Sequence, residues 1–508
     1  MSSSTAGRLV FIVLAALCVA LIWAVRYVPT QDGPSHLANA AALRDILLPG
    51  DQGLEAHYYV QPRPVPNWAY YAVVAPLMAF LPPLVAEKLF LSAYIAAFAF
   101  AFYKLARAAG ARTWAPAVAA FPFAVALPFQ MGFFNYCAGV VVALAALAYF
   151  WPRRDRLGVR EAVALNLFAV AAYFCHLLAA LLLLGAVCFL NVVLAVGAAP
   201  GTRSWARRAR FLAGLLPAWI LPLYYLSRPG GGEAAWSPPL DLLRLILSGW
   251  PLVSLARGQR AVGFFAVAVA LAAAAAVVVA IKSGRRRWPQ SRDAFGLLAA
   301  AFLILYFVAP DAAAGGSLVS ARLAAFAFLF IFVWGGDGFG RRGDWAALVV
   351  ATALAGAAWA GDSYYYRKCD RVLRELTAAD YGFRPGAGMV YFDFSETRPG
   401  LARVTFHAGA YYALRARLVD LCNYEAELPY FPVQFRPPAP RPPAAEIIEG
   451  YMYDVDECAS TVDYIIAWDM DPYRRRRLAA ERYYDLVVDR PRLKIYEIKA
   501  AYRKTGRG

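Results

Sequence analysis

Residues 177–197 read LLAALLLLGAVCFLNVVLAVG, without a single charged side chain. About 20 consecutive apolar residues are needed to cross a bilayer as a helix. The preceding run, 160–175, is nearly as apolar and is separated from this one only by His176. Further such runs lie at about 9–25, 85–107, 114–130, 135–151, 210–227, 262–281, 294–309, 318–335 and 345–361, eleven in all. The whole chain of 508 residues is 61% hydrophobic and 17% charged, too apolar for its charged residues to cover as one soluble core. A water-soluble enzyme is excluded, and the expected class is a polytopic α-helical membrane protein.

Charge then gives the orientation. The formal charge of +17 is carried mostly by short Arg clusters between apolar runs, a pattern that serves topology before any nucleic acid. With the N-terminus inside, the short inner loops hold 19 Lys and Arg, including Arg153, Arg154, Arg156 and Arg160. The longer outer loops 26–67 and 228–261 hold 7. Counting Trp68–Pro83 as a twelfth span would put every later Arg cluster outside, and Pro76, Pro82 and Pro83 break it, so it is expected to be interfacial or re-entrant. The positive-inside rule thus predicts about eleven transmembrane helices, N-terminus in and C-terminus out. The run Leu9–Val25 lacks a small-x-small cleavage site before Arg26 and reads as an uncleaved signal anchor.

After Gly361 the composition changes. Residues 362–508 hold 23 basic and 21 acidic residues, with short alternating stretches at 388–392 and 463–468. These predict a C-terminal α+β extracytoplasmic domain over 362–508, after a membrane domain over 1–361 whose first outer loop, 27–84, carries interfacial helices. The Pro-rich strip 436–443 is expected to be an exposed loop. Cys369, Cys422 and Cys458 fall on the outer side, where one disulfide and one free thiol would fit, in a pairing the sequence leaves open.

Chemistry is concentrated at the outer face. In Pro29-Thr30-Gln31-Asp32-Gly33-Pro34-Ser35-His36, a carboxylate and an imidazole stand four residues apart around a Gly-Pro turn. Ser35 is the expected N-cap of a helix running through Leu47. Asp32 would then serve either as a proton acceptor or merely as a cap for backbone N–H groups. All four histidines, His36, His57, His176 and His407, fall on the outer side of this topology. Asn135 opens an outer turn, and Arg322 stands about one turn inside the outer end of its helix. There it either snorkels to headgroups or grips a phosphate bidentately, with Arg244, Arg257 and Arg260 of the outer loop able to join it.

The signal anchor, the early Asp32, Leu84-Val85-Ala86-Glu87-Lys88-Leu89-Phe90-Leu91-Ser92 opening the next run, its close Tyr103-Lys104-Leu105-Ala106-Arg107, and the late Arg322 helix together resemble the GT-C superfamily of polytopic glycosyltransferases. The resemblance is one of order and sidedness over the whole chain, with specific residues only near 29–40, 84–110 and 320–328. It departs where Phe134-Asn135-Tyr136 stands in place of a second acidic residue, where Lys88 stands for an Arg, and in the Asp32–His36 arrangement itself.

What the resemblance implies is inverting transfer of a hexosyl or pentosyl group from a polyprenyl-phosphate-linked sugar to an acceptor hydroxyl. Asp32 would be the catalytic base, with His36 orienting it or binding acceptor. Arg322, with Arg257 and Arg260, would hold the donor phosphate, and Asn135, His176 and His57 are further candidates for the site. No metal ligand is assigned and no cofactor is required, a divalent cation being optional. The implied partners are the lipid-linked donor, membrane lipids and a glycan, lipid or protein acceptor, with no nucleic acid. Abundant Ala and Arg suit a GC-rich bacterial genome, hence multi-pass residence in the cytoplasmic membrane with the C-terminal domain periplasmic or extracellular. The rival readings are a lipid or polysaccharide transporter or export component, against which stand few mid-span charges and no evident repeat, and a non-catalytic membrane scaffold.

Overall fold

The computed structural model describes residues 3–48, 54–197, 204–228, 234–336, 340–395, 402–437, 455, 459 and 461–503. The chain divides into two compact units. The first comprises Met1–Ile22, Leu91–Gln130 and Phe134–Tyr364, the second Trp23–Phe90, Met131–Phe133 and Tyr365–Gly508.

Each apolar run of the sequence is helical, but not every one is a full span. Among the described residues, six helices are long and apolar enough to cross a membrane: Ser3–Trp23, Pro83–Ala108, Phe134–Arg153, Leu177–Val196, Arg257–Lys282 and Arg342–Leu376. A seventh span results if Trp205–Ala213 and Leu216–Leu226, bent by 45°, are taken together. Among the described residues, six or seven of the expected eleven are thus long enough to span, and the rest are shorter or broken apolar helices. Proline is the reason in two places. Pro116, Pro122 and Pro128 divide the 114–130 run into Ala115–Ala119, Phe121–Ala124 and Leu127–Gln130, and Pro217 starts a new segment after Gly214, because a ring in place of an N–H breaks the i to i−4 ladder. Asp293–Val308 and Val319–Trp334 are simply short, at 16 residues each. Trp68–Pro83 holds only the nine-residue helix Ala69–Leu77, too short to span.

Within the first unit, small residues let helices approach. A Cβ on Gly139 would lie 2.5 Å from that of Ala179, on the helix Leu177–Val196, the close contact that stabilises helix pairs in lipid. On the predicted inner side, Asp293 binds Arg286 and accepts from Trp334 Nε1 at 2.9 Å, while Arg292 Nε donates to the carbonyl of Ala109 at 2.8 Å.

The second unit contains two sheets. Strands β1 (Tyr58–Val60) and β4 (Val433–Phe435) form an antiparallel ribbon, so the early loop and the tail share one fold. The main sheet has the order β3 (Val419–Asp420), β2 (Gly388–Asp393), β5 (Tyr464–Trp468), β7 (Leu493–Ile498), β6 (Tyr484–Asp489). β2 runs parallel to both β3 and β5, and β7 antiparallel to β5 and β6. The two stretches predicted as strands are thus strands, but every residue of β2 and β5 is buried. Central parallel strands covered on both faces have no polar side to show. Tyr411 and Tyr412 are core residues here. Cys369 and Cys422 are free thiols, Cys458 lies outside the described residues, and so does the Pro-rich strip beyond Pro437.

Candidate functional site

The segment around Asp32 begins its helix three residues earlier than expected, at Gly33, with Pro34 in the first turn. Pro34 suits that place, since its missing N–H would find no helical partner there. Asp32 itself is the N-cap, yet its side chain makes no capping hydrogen bond. The reading of Asp32 as a mere cap is thereby set aside: the carboxyl group is turned to other uses.

What holds Asp32 is its backbone. Its N–H donates to the carbonyl of Met131 at 3.0 Å, and its own carbonyl accepts from His36 N at 3.0 Å. Gly132 makes the first contact feasible. Its φ is +88°, and a Cβ would fall 2.7 Å from Gly33 N and 2.9 Å from Asp32 N, so only glycine combines that conformation with that closeness.

The carboxyl group of Asp32 is 6% exposed and sits among polar neighbours. Gln31 Nε2 donates to Oδ1 at 3.2 Å, His407 Nε2 approaches Oδ1 at 3.5 Å, and the Tyr424 hydroxyl donates to it as well. Burial pushes its pKa up to about 7, against the lowering pull of the nearby His36 and of the Gln31 hydrogen bond. His407 goes the other way. Burial takes it down to about 3 despite the Glu425 charge, so at neutral pH it is an uncharged ring, tilted against that of Tyr424 with centroids 4.8 Å apart.

His36 lies on the same helix and is buried. Its Nδ1 is 2.7 Å from the Tyr71 hydroxyl and 3.0 Å from Glu425 Oε1. Burial would strip its proton, but the charge and hydrogen bond of Glu425 outweigh that, and its pKa ends above the ordinary value. Glu425 responds in kind: burial raises it, while His36 and the Tyr71 hydrogen bond bring it below the carboxylate norm. Asn39 Nδ2 donates to Glu425 Oε2 at 3.0 Å and to Asn423 Oδ1 at 3.0 Å, and Asn423 returns a hydrogen bond of 2.8 Å. A carboxyl group poised near neutrality beside an imidazolium and a neutral imidazole is equipped to take a proton from a substrate.

A separate cluster forms within the first unit. Arg322, 3% exposed, places Nη1 3.3 Å from His176 Nε2, and its guanidinium lies 4.9 Å from the centre of the Tyr136 ring. His176 caps the helix Leu177–Val196, its Nδ1 accepting from Leu178 N at 3.0 Å. A neutral ring that accepts at Nδ1 carries its proton on Nε2. Both are then N–H donors of the kind from which an anionic oxygen accepts. Tyr136 also lines an apolar cavity walled by Tyr94, Phe98, Phe123, Phe129 and Phe326.

The remaining candidates disperse. Asn135 is buried in the first turn of the helix Phe134–Phe150. Arg257 and Arg260 are exposed at the start of their helix. Their turn is tied by Gln259, whose Oε1 accepts from Ser254, Leu255 and Ala256 N and whose Nε2 donates to Asp362 at 2.8 Å. His57 is half-buried just before β1, where its carbonyl accepts from Arg436 N at 2.8 Å. Among the described residues no three His, Cys, Asp or Glu side chains gather as metal ligands, and the two acids of the Asp32 cluster are engaged with His36, Gln31, Tyr71 and Tyr424. Sequence reasoning missed Glu425, Tyr71 and Tyr424. The one signal available was an acid flanked by Asn423 and Tyr424 at the head of an aromatic stretch.

No family model and no curated protein matches the sequence. Solved structures do. The crystal structure of ArnT from Cupriavidus metallidurans bound to undecaprenyl phosphate superposes with a TM-score of 0.51 at 11% identity, covering 97% of this chain and 99% of that one. A mutant of the arabinofuranosyltransferase AftD from Mycobacteria, seen by cryo-electron microscopy, gives a TM-score of 0.51 at 15% identity, over 96% of this chain but 41% of that one. Identities this low speak for the fold alone, and they do so along nearly the full length: the chain shares the fold of these two structures.

Proposed function

We propose that this chain is a glycosyltransferase that moves a sugar from a polyprenyl-phosphate-linked donor to an acceptor hydroxyl, with inversion, at the outer face of a bacterial cytoplasmic membrane. The observation that carries the reading is Asp32: a buried carboxylate released from capping, with a pKa near 7, in a chain whose fold matches that of ArnT. Asp32 Oδ takes the acceptor's hydroxyl proton as the oxygen attacks the anomeric carbon, and the bond from that carbon to the donor phosphate breaks. Arg322 and His176 supply the paired donors for that phosphate, and charge-assisted bonds to a leaving oxyanion count most where water is scarce. ArnT's bound undecaprenyl phosphate supports a lipid of that chemistry as the ligand here.

The test uses the purified full chain in nanodiscs with a panel of polyprenyl-phosphate sugars, scoring release of polyprenyl phosphate with and without membrane extract as acceptor. Release that requires Asp32 establishes the transferase, and the donor that turns over names the sugar. Release unchanged in Asp32→Asn removes the catalytic assignment. Binding of a donor without turnover, abolished in Arg322→Ala, replaces the reading with a lipid-handling transporter or scaffold.

A further inference from the structure

Glu425 comes from the C-terminal part of the chain and is 0% exposed. A carboxylate so deeply buried is costly unless its charge is answered. It is answered by His36 Nδ1 at 3.0 Å, by the Tyr71 hydroxyl and by Asn39 Nδ2 at 3.0 Å. Asn39 is in turn fixed by its reciprocal amide pair with Asn423, whose Oδ1 also caps the short helix carrying Glu425. Everything in this arrangement orients one carboxylate at one imidazole. No part of it touches the proton that Asp32 is to receive.

We propose that Glu425 is a positioning residue whose ion pair, braced by Tyr71 and Asn39, makes His36 a built-in cation beside Asp32. The proposal rests on the reading of Asp32 as the base and deepens it. A base must be ionised to accept a proton, and burial alone drives Asp32 toward its neutral form. The imidazolium opposes that drive, so the C-terminal region sets the working pH of a residue in the first loop.

The electrostatic surroundings are specific. His36 faces Tyr70 and Tyr71 from the helix Ala69–Leu77, Glu87 from the start of Pro83–Ala108, Glu425 and Tyr424 from the helix at 424–427, and His407 before the helix Ala410–Ala416. Asp32 faces His36, Gln31, Glu425, Tyr424 and His407, and Arg403 bears on His407. Without the Glu425 charge and hydrogen bond, burial is opposed only by the weaker pull of Asp32 and of the Gly132 backbone, and His36 titrates lower. Asp32 then loses a cation that lowers its pKa and an anion that raises it, of which His36 has the larger influence. The net movement of Asp32 is upward.

The chain has four histidines, few enough to follow one by one. The full chain labelled with ¹⁵N-histidine is placed in nanodiscs and its imidazole signals are followed from about pH 5 to pH 9, with His36→Gln assigning the His36 resonance. Wild type is expected to hold one imidazolium above the ordinary histidine range, Glu425→Gln to lower its titration by about one pH unit or more, and Glu425→Asp to keep it. An imidazolium indifferent to Glu425→Gln, or missing from the wild type, overturns the proposal. Transfer rates supply the second readout. The acid limb of the pH–rate profile should move up by roughly one unit in Glu425→Gln, whereas a residue that only packs would lower the rate at every pH and leave the limb in place. Loss of transfer in Asp32→Asn together with an unmoved limb in Glu425→Gln defeats this inference and spares the base. Retention of transfer in Asp32→Asn defeats the base, while the histidine spectra still decide the ion pair. If Glu425→Gln does not fold, Tyr71→Phe removes only the bridging hydroxyl and should move the His36 titration the same way by less. An unmoved His36 in that variant also overturns the proposal.

Discussion

The Asp32 cluster and the Arg322 cluster solve opposite problems. Around Asp32 there are many polar partners, and they balance: a carboxyl group near neutrality, an imidazolium matched to Glu425, and an uncharged His407. Around Arg322 the partners face as donor to donor, the guanidinium toward the protonated nitrogen of His176 and over the Tyr136 ring. The first cluster is complete in itself and suited to moving a proton. The second, on the proposed reading, receives the donor phosphate. Proton transfer and phosphate binding fall, on that reading, to different kinds of polar arrangement, and substitutions should separate them.

The largest expected effect is at Asp32. A general base contributes about 10²- to 10⁴-fold, so Asp32→Asn should lower kcat by that factor while the affinity for polyprenyl phosphate holds. Wild-type activity should climb as pH rises through about 7, where Asp32 ionises. Stability should run the other way. Asp32 has its pKa raised on folding, so its favourable contribution is full below pH 4 and disappears as pH rises through 7. Asp32→Asn should therefore melt higher than wild type above pH 7 and equally at pH 4. An equal melting temperature throughout would mean that burial imposes no charge penalty there.

Arg322→Ala comes next and should show the reverse pattern: polyprenyl phosphate bound roughly 10- to 100-fold more weakly, as expected for a lost charge-assisted pair of hydrogen bonds. Lys in its place should recover little, because an ammonium cannot present the planar fork. A drop in kcat at saturating donor with unchanged affinity would erase the distinction between the two clusters.

Gly132→Ala sharpens the comparison from the backbone side. The new Cβ would lie 2.7 Å from Gly33 N in a residue with φ of +88°, a strain of about 1–3 kcal/mol. The melting temperature should fall, and kcat should fall with it as Asp32 shifts, with donor affinity spared. Gly139→Ala meets the Ala179 Cβ instead and should destabilise the helix pair without touching the pH profile.

How much of this was legible in the sequence follows from which forces act locally. Apolar runs are local, so the helices were placed by the hydropathy, although the run 345–361 is only the middle of the helix Gly340–Leu376; whether each one is a whole span depends on prolines such as Pro122 and Pro217, which the hydropathy count passes over. Alternation predicted strands at 388–392 and 463–468, and the strands exist, although burial on both faces of β2 and β5 replaced the half-exposed pattern. Asp32 and His36 were visible because they are neighbours in sequence, and Arg322 because an Arg in an apolar run stands out. Glu425 and Tyr71 were not, since they reach His36 across 389 and 35 positions of chain, and their meaning is a partner rather than a pattern. His176 was visible only as a polar break between two runs, and its pairing with Arg322 spans 146 residues.

The smallest predicted effect tests the fine tuning of the first cluster. Gln31 bridges two parts of the chain, its Nε2 donating to Asp32 Oδ1 at 3.2 Å and its Oε1 accepting from Arg403 N at 3.0 Å. Arg403 Nη2 in turn lies 3.5 Å from Asp393 Oδ2 at the end of β2, and Thr405 donates to the same oxygen at 2.9 Å. A hydrogen bond to the ionised carboxylate favours that form, so Gln31→Ala should move the acid limb of the rate profile up by about half a unit and leave the plateau within about two-fold. Gln31→Glu sets a second carboxylate beside Asp32 and should move the limb further in the same direction, because like charges resist joint ionisation. If the alanine variant lowers the plateau by an order of magnitude at every pH, Gln31 acts through the segment held by Arg403 rather than through the charge of Asp32. The tie to β2 would then matter more to the first cluster than the balance of its charges.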